Sequence, residues 1–132
     1  MSIKVKSMRS PLGVARGLGS AKSGTEHWML QRLTALALIP LALFVLSGFY
    51  NAVVLGGYED ALAWLHSPIS ATFVILFLLV GLRHATLGLQ VVIEDYAHCE
   101  SIKLSLLFIV KFLAVVFAVL GTLSVAKIFF GA

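Results

Sequence analysis

The apolar positions of the sequence are gathered into three long blocks. No charged residue occurs in 33–58 or in 69–82, the second block continues mostly apolar to Ile93, and 104–126 is interrupted only by Lys111. A helix needs about 20 residues to cross about 30 Å of hydrocarbon, and in lipid its backbone groups find partners only within the protein. The pattern predicts three transmembrane helices, near residues 28–54, 69–95 and 103–129.

The connections between these blocks are short. The first contains LGGYEDALAWLHSP and ends in Pro68, which suits the first turn of a helix, and the second is AHCES. Helices joined by short connections pack antiparallel as neighbours. The sequence therefore predicts one three-helix transmembrane domain, residues 28–132, which follows a polar, basic segment, residues 1–27.

The composition places the chain among all-α membrane proteins. Hydrophobic residues make up 60% of the chain and charged residues 12%, and the mean hydropathy is +1.01, whereas a soluble domain has about 25% charged residues. The first hydrophobic block starts near Trp28, so no cleaved secretory signal is expected. The lone Cys99 excludes an internal disulfide and a metal site of several cysteines.

Basic residues are distributed unevenly along the chain. Five of the ten Lys and Arg residues lie in residues 1–27, and the connection after the first block carries no Lys or Arg but Glu59 and Asp60. The positive-inside rule then predicts an inner N-terminus and, after three crossings, an outer C-terminus. The net charge of +4 is interpreted as a signal for topology and for lipid headgroups, and no nucleic-acid partner is expected.

Polar residues at membrane depth are the candidates for chemistry, because they are costly there. The chain has no phosphate-binding glycine loop and no serine or cysteine nucleophile with a credible base. On a helix with about 100° per residue, Gly81, Gly88 and Asp95 fall within about 60° of His84. Glycines on both sides of the histidine suit a flat ligand such as a porphyrin. They equally suit close helix packing, with His84 hydrogen-bonded across the contact.

Three further residues of the same predicted helix have two interpretations each. Arg83 points about 100° away from His84 and suits either the membrane surface or a haem propionate. Tyr96 lies about 18 Å beyond His84, where a phenol serves as an interface anchor or donates a hydrogen bond to a quinone carbonyl. Asp95 is then available to orient partners or to relay protons.

These residues resemble a known family. HATLGLQVVIEDY is similar to the second transmembrane helix of the smaller membrane-anchor subunit of succinate dehydrogenase, usually called D. In that family a haem-ligating histidine is followed by a glycine and then by an Asp-Tyr pair, at the spacing of His84, Gly88, Asp95 and Tyr96. QRLTALALIP resembles the Arg-x-Thr-Ala entry to the first helix, and RGLGSAKSGTEHW is similar to members of alphaproteobacterial and mitochondrial type.

The resemblance implies a role in succinate:ubiquinone oxidoreductase, in a bacterial cytoplasmic or a mitochondrial inner membrane. A flavoprotein subunit oxidises succinate, so no succinate chemistry is expected in this chain, and an iron–sulfur subunit passes on the electrons. This chain and a second, C-type anchor would share a b-type haem, with His84 as one axial ligand to the iron. Tyr96 and Asp95 would form part of the ubiquinone-reduction site on the inner side.

The resemblance also implies candidates near the haem propionates. A histidine near the entrance of the first helix suggests His27, and the Arg-x-Thr-Ala pattern suggests Arg32, although snorkelling toward headgroups explains Arg32 nearly as well. Two other functions stay open. The chain could anchor another haem b quinone oxidoreductase such as a fumarate reductase, or it could be a cofactor-free structural or transport protein in which His84 only packs helices.

Overall fold

The computed structural model describes residues 24–131. Helix α1 spans Gly24–Phe49 and continues as a π-helical segment over Tyr50–Gly56. A short helix α2, Tyr58–His66, follows, and then come α3, Pro68–Tyr96, and α4, Glu100–Phe130. No strand occurs in this part of the chain.

Three of these helical stretches are long and apolar enough to cross a membrane. They are Gly24–Gly56, Pro68–Tyr96 and Glu100–Phe129, so the predicted all-α membrane fold with three spanning helices is confirmed. The first and third stretches begin a few residues earlier than predicted. Most of the predicted basic segment, residues 1–27, lies outside the described residues, and the inside location of the N-terminus stays a prediction.

The local sequence explains where the helices begin and end. Pro68 is the first residue of α3. A backbone N–H at this position has no hydrogen-bond partner within the helix, so proline, which lacks the N–H, costs no hydrogen bond there. Gly131 ends α4 in a left-handed conformation with a φ of 70°, which lets the backbone close the last turn. Gly57 joins the π-helical segment to α2 with a φ of 109°, a value that side chains rarely permit.

Helix α3 is the central helix of the domain. It packs against α1 on one side and against α4 on the other, so the three long helices form a row. The start of α1, the end of α3 and the start of α4 lie together, and this end is called the Tyr96 end below. Large apolar side chains remain exposed along all three helices, as expected for surfaces that face lipid or other subunits.

The connection between α1 and α3 is more ordered than the sequence suggested. Its residues form α2, which packs on α3 and α4. The Trp64 side chain covers Gly48 of α1, and the His66 ring lies 3.3 Å from the Phe129 carbonyl oxygen. The acidic residues in the first turn of α2, Glu59 and Asp60, favour helix formation there through the helix dipole.

Candidate functional site

His84 lies near the middle of α3 and faces α1. Its Nδ1 atom is 3.0 Å from the hydroxyl oxygen of Thr34. That oxygen is also 2.8 Å from the carbonyl oxygen of Leu30 and 3.1 Å from that of Gln31. A hydroxyl has one proton and carbonyl oxygens only accept, so the hydrogen-bond network favours donation of the Thr34 proton to a carbonyl and of the His84 Nδ1–H to Thr34. In this tautomer the lone pair of the imidazole is on Nε2.

The two glycines on this side of α3 lie at the contact with α1. A Cβ atom at Gly81 would be 3.9 Å from a methyl carbon of Leu38, and one at Gly88 would be 3.6 Å from the amide nitrogen of Gln31. Both are ordinary van der Waals distances. Alanine would therefore fit at either position, and the packing of α1 on α3 within this chain does not require glycine there. The sequence interpretation of Gly88 as a surface for a porphyrin stays a prediction.

A stripe of polar residues on α1 runs from the Tyr96 end to this hydrogen bond. It consists of His27, Gln31 and Thr34, which follow one another at helical spacing. The Nε2 atom of His27 and the Oε1 atom of Gln31 are buried and have no partner among residues 24–131. A buried, unpaired polar atom costs about 1–3 kcal/mol, so a polar group from outside residues 24–131 would stabilise this end of the stripe.

Sequence reasoning singled out His27 but missed Gln31 and Thr34 as site residues. Both residues interrupt an apolar run at the spacing of one helix face, and this periodicity was the available signal. Arg32, the other candidate on α1, lies beside the stripe: its guanidinium carbon is 5.6 Å from the centre of the Trp28 ring. The structure therefore brings His27 onto the stripe that leads to His84 and stacks Arg32 on an aromatic residue.

Arg83 and Lys111 meet on the other side of α3. They line an open groove of about 330 Å³ between α3 and α4, and the rest of its lining is mainly apolar. All six acidic residues of the chain lie at or near helix ends, about 10 Å or more along the helix axes from either cation. Arg83 and Lys111 thus share a groove in which this chain provides no counter-charge.

Tyr96 and Asp95 end α3, about 18 Å along its axis from His84. The Tyr96 side chain is 79% exposed and lines an open groove of about 460 Å³ with the α3–α4 connection, including His98 and Cys99. The His98 ring is held 2.9 Å from the Tyr96 carbonyl oxygen. The Asp95 side chain is exposed and is not part of that lining. Adjacent helical residues point about 100° apart, which separates Tyr96 from Asp95.

The donor set suits a haem iron better than a free metal ion. Residues 24–131 contain no group of three or more His, Cys, Asp and Glu side chains that could hold a metal ion. A single imidazole with a free Nε2 atom and a hydrogen-bonded Nδ1 atom is nevertheless the usual form of an axial haem ligand. The buried, unpaired atoms of His27 and Gln31 would meet polar groups at the edge of such a cofactor.

The sequence matches a family model and several known proteins. Residues 6–120 match the family model described as succinate dehydrogenase/fumarate reductase transmembrane subunit. A succinate dehydrogenase hydrophobic membrane anchor subunit of Rickettsia bellii is 35% identical over 108 residues, which cover 81% of this chain and 85% of that protein. The protein of that name from Paracoccus denitrificans is 33% identical over 103 residues, covering 78% and 79%.

A further relative carries a similar name. The succinate dehydrogenase membrane anchor subunit of Reclinomonas americana is 31% identical over 98 residues, which cover 71% of this chain and 80% of that protein. No solved structure matches the chain.

Proposed function

Because the chain belongs to the succinate dehydrogenase/fumarate reductase transmembrane subunit family, we propose that it provides one axial haem ligand and part of a quinone site. The family and the multi-pass inner-membrane location predicted from the sequence are confirmed, and the chain is a membrane-anchor subunit of an enzyme complex. The proposal extends to its partners: a second, C-type anchor, an iron–sulfur subunit and a flavoprotein subunit.

One observation carries the haem assignment. His84 is the only histidine in the middle of a spanning helix, because His27, His66 and His98 all lie at or near helix ends. Its Nδ1–H is already bonded to Thr34, so Nε2 is the nitrogen that would bind iron. When bound, haem b supplies one-electron transfer. The hydrogen bond to Thr34 would hold the imidazole in position.

The residues proposed around the rest of the haem differ in their support. Gly88 lies one turn from His84 on the same face of α3. His27 has a buried ring nitrogen without a partner among the described residues, which favours it as a contact of a haem propionate. Arg32, stacked on an aromatic ring, and Arg83, which lies in the α3–α4 groove, have less support and need a change of rotamer to take this role.

The quinone site is proposed at the Tyr96 end. The Tyr96 hydroxyl would donate a hydrogen bond to a ubiquinone carbonyl, where it stabilises the negative charge that develops as electrons arrive. Asp95 would support the site or transfer protons from the inner aqueous phase. The exposed position of Tyr96 beside an open apolar groove supports this role, because a ring with an isoprenoid tail can enter from the membrane.

The haem assignment is tested by His84→Ala in the complete complex, with His66→Ala as the matched control at the opposite end of the helices. We expect His84→Ala to abolish or shift the b-type band in the reduced-minus-oxidised spectrum, because no other histidine can replace the ligand. His66→Ala should leave the band unchanged. An unaltered spectrum in His84→Ala would overturn the assignment and leave His84 as a helix-packing residue.

The quinone assignment is tested by Tyr96→Phe, with Tyr58→Phe as the control. We expect succinate–quinone turnover to fall about tenfold, roughly the loss of one hydrogen bond, while succinate oxidation with an artificial acceptor stays normal. Normal quinone turnover in Tyr96→Phe would leave Tyr96 as an interface anchor. Fumarate reduction by the same complex should be measured as well, since the family includes fumarate reductases.

A further inference from the structure

We infer that Thr34 is a positioning residue for the haem ligand. Its hydroxyl oxygen lies 3.0 Å from the Nδ1 atom of His84; by accepting the Nδ1–H it would fix both the tautomer and the plane of the imidazole. This inference rests on the proposed function, because it assigns to Thr34 a role in presenting the Nε2 atom of His84 to iron. Thr34 itself would not touch the metal.

The hydroxyl is held in place by its own helix. Thr34 bonds back to the carbonyl oxygen of Leu30 at 2.8 Å, and this bond restricts the side-chain rotamer of a β-branched residue. The lone pair that remains points across the helix contact to His84. Both partners are partly buried at membrane depth, where little water competes and a low dielectric constant strengthens the bond. The acceptor is thus rigid before the haem arrives.

The tautomer matters because only an unprotonated nitrogen binds iron. A neutral imidazole carries one proton, on either Nδ1 or Nε2. Thr34 offers an acceptor to Nδ1 and so keeps the proton away from Nε2. The same bond withdraws Nδ1–H toward oxygen and makes the ring more basic, which favours ferric over ferrous iron. Loss of such a partner typically weakens metal affinity about 10- to 100-fold.

The inference is tested by Thr34→Val, which keeps the shape of the side chain and removes the acceptor, and by Thr34→Ser, which keeps the acceptor. Thr86→Val is the matched control: Thr86 is a buried threonine of α3 that bonds back to the carbonyl oxygen of Leu82 at 2.7 Å. Each variant is assembled into the complete complex. Haem content per flavin, the haem midpoint potential and the electron paramagnetic resonance signal of the ferric haem are then measured.

We expect Thr34→Val to weaken haem binding about 10- to 100-fold, to raise the midpoint potential and to change the ferric signal. Thr34→Ser should restore all three measurements toward the parent values, and Thr86→Val should leave them unchanged. The inference is overturned if Thr34→Val keeps the parent potential and signal, or if Thr86→Val alters them equally.

Failure of this inference is distinguishable from failure of the proposed function. If His84→Ala loses the haem and Thr34→Val behaves like the parent, only the role of Thr34 is wrong. If His84→Ala keeps the haem, the proposed function fails. Nitrogen NMR of the haem-free complex labelled at histidine gives a readout without the cofactor: His84 should be protonated on Nδ1 in the parent and should lose that preference in Thr34→Val. An unchanged preference would contradict the inference.

Discussion

Replacement of Gly88 by alanine separates the two interpretations of the glycine beside His84. A Cβ atom at this position would lie 3.6 Å from the Gln31 amide nitrogen and would clash with nothing in this chain. Alanine is also favoured over glycine by about 1 kcal/mol inside a helix. The helices themselves should therefore tolerate Gly88→Ala and gain slightly in stability.

A porphyrin packed on Gly88 would not tolerate the same change. A methyl group pushed into a well-packed contact costs about 1–3 kcal/mol, which corresponds to a loss of haem affinity of about 5- to 150-fold. We therefore expect Gly88→Ala to lower the haem content per flavin while the unfolding temperature of the complex holds or rises. Gly81→Ala is measured for comparison, because a Cβ atom there meets only a methyl carbon at 3.9 Å; haem loss in both variants would indicate that both glycines face the porphyrin.

The result that would refute this reasoning is equally specific. If Gly88→Ala and Gly81→Ala both retain full haem content, Gly88 serves only the contact between α1 and α3. If Gly88→Ala loses haem together with general stability, the 3.6 Å clearance to Gln31 is not available in the complex. Measuring haem by its absorption band and stability by thermal unfolding of the same samples distinguishes the outcomes.

Three further predictions concern the stability of the domain, and thermal unfolding of the complete complex measures each. Gly48→Ala should destabilise it by about 1–3 kcal/mol, because the new methyl group meets the Trp64 indole ring; a gain in stability would contradict that contact. Gly57→Ala should cost a similar amount, because a φ of 109° strains any side chain, and an unchanged unfolding temperature would argue against the turn. Lys111→Met should stabilise the domain by up to about 3 kcal/mol, because it removes a charge from membrane depth. Lys127→Met, near the end of α4, should change the stability little. A loss of stability in Lys111→Met would instead indicate a bound anion.

The spanning helices could be predicted from the sequence because lipid leaves few alternatives. A mostly apolar block of about 20 or more residues is typical of a membrane-spanning helix, and the predicted spans agree with Gly24–Gly56, Pro68–Tyr96 and Glu100–Phe129 apart from a few terminal residues. Helix α2 escaped prediction because its nine residues are too few for a clear apolar period. Its order comes from tertiary contacts of Trp64 and His66, which a local pattern does not contain.

The candidate site, like the fold, could be predicted from the sequence only in part. His84 stood out because a histidine at membrane depth is costly and therefore informative. The partner of its Nδ1 atom did not stand out, because Thr34 is 50 positions away in the chain and becomes a neighbour only through the register in which α1 packs on α3. For the same reason, the sequence could place Arg83 and Lys111 at membrane depth but could not show that they share one groove.

The positions of the four histidines bear on why this subunit would need a partner. If His84 binds one face of a haem, the other three histidines lie too far away to bind the opposite face. His27 lies about 10 Å along α1 from Thr34. His66 is the last residue of α2, and His98 lies in the connection between α3 and α4. A six-coordinate haem would therefore require a ligand from another chain. The row of three helices leaves large apolar side chains uncovered on its flanks, where such a chain could pack. Haem binding and the packing of the two anchors would then stabilise each other, because this chain would supply only one of the two axial ligands.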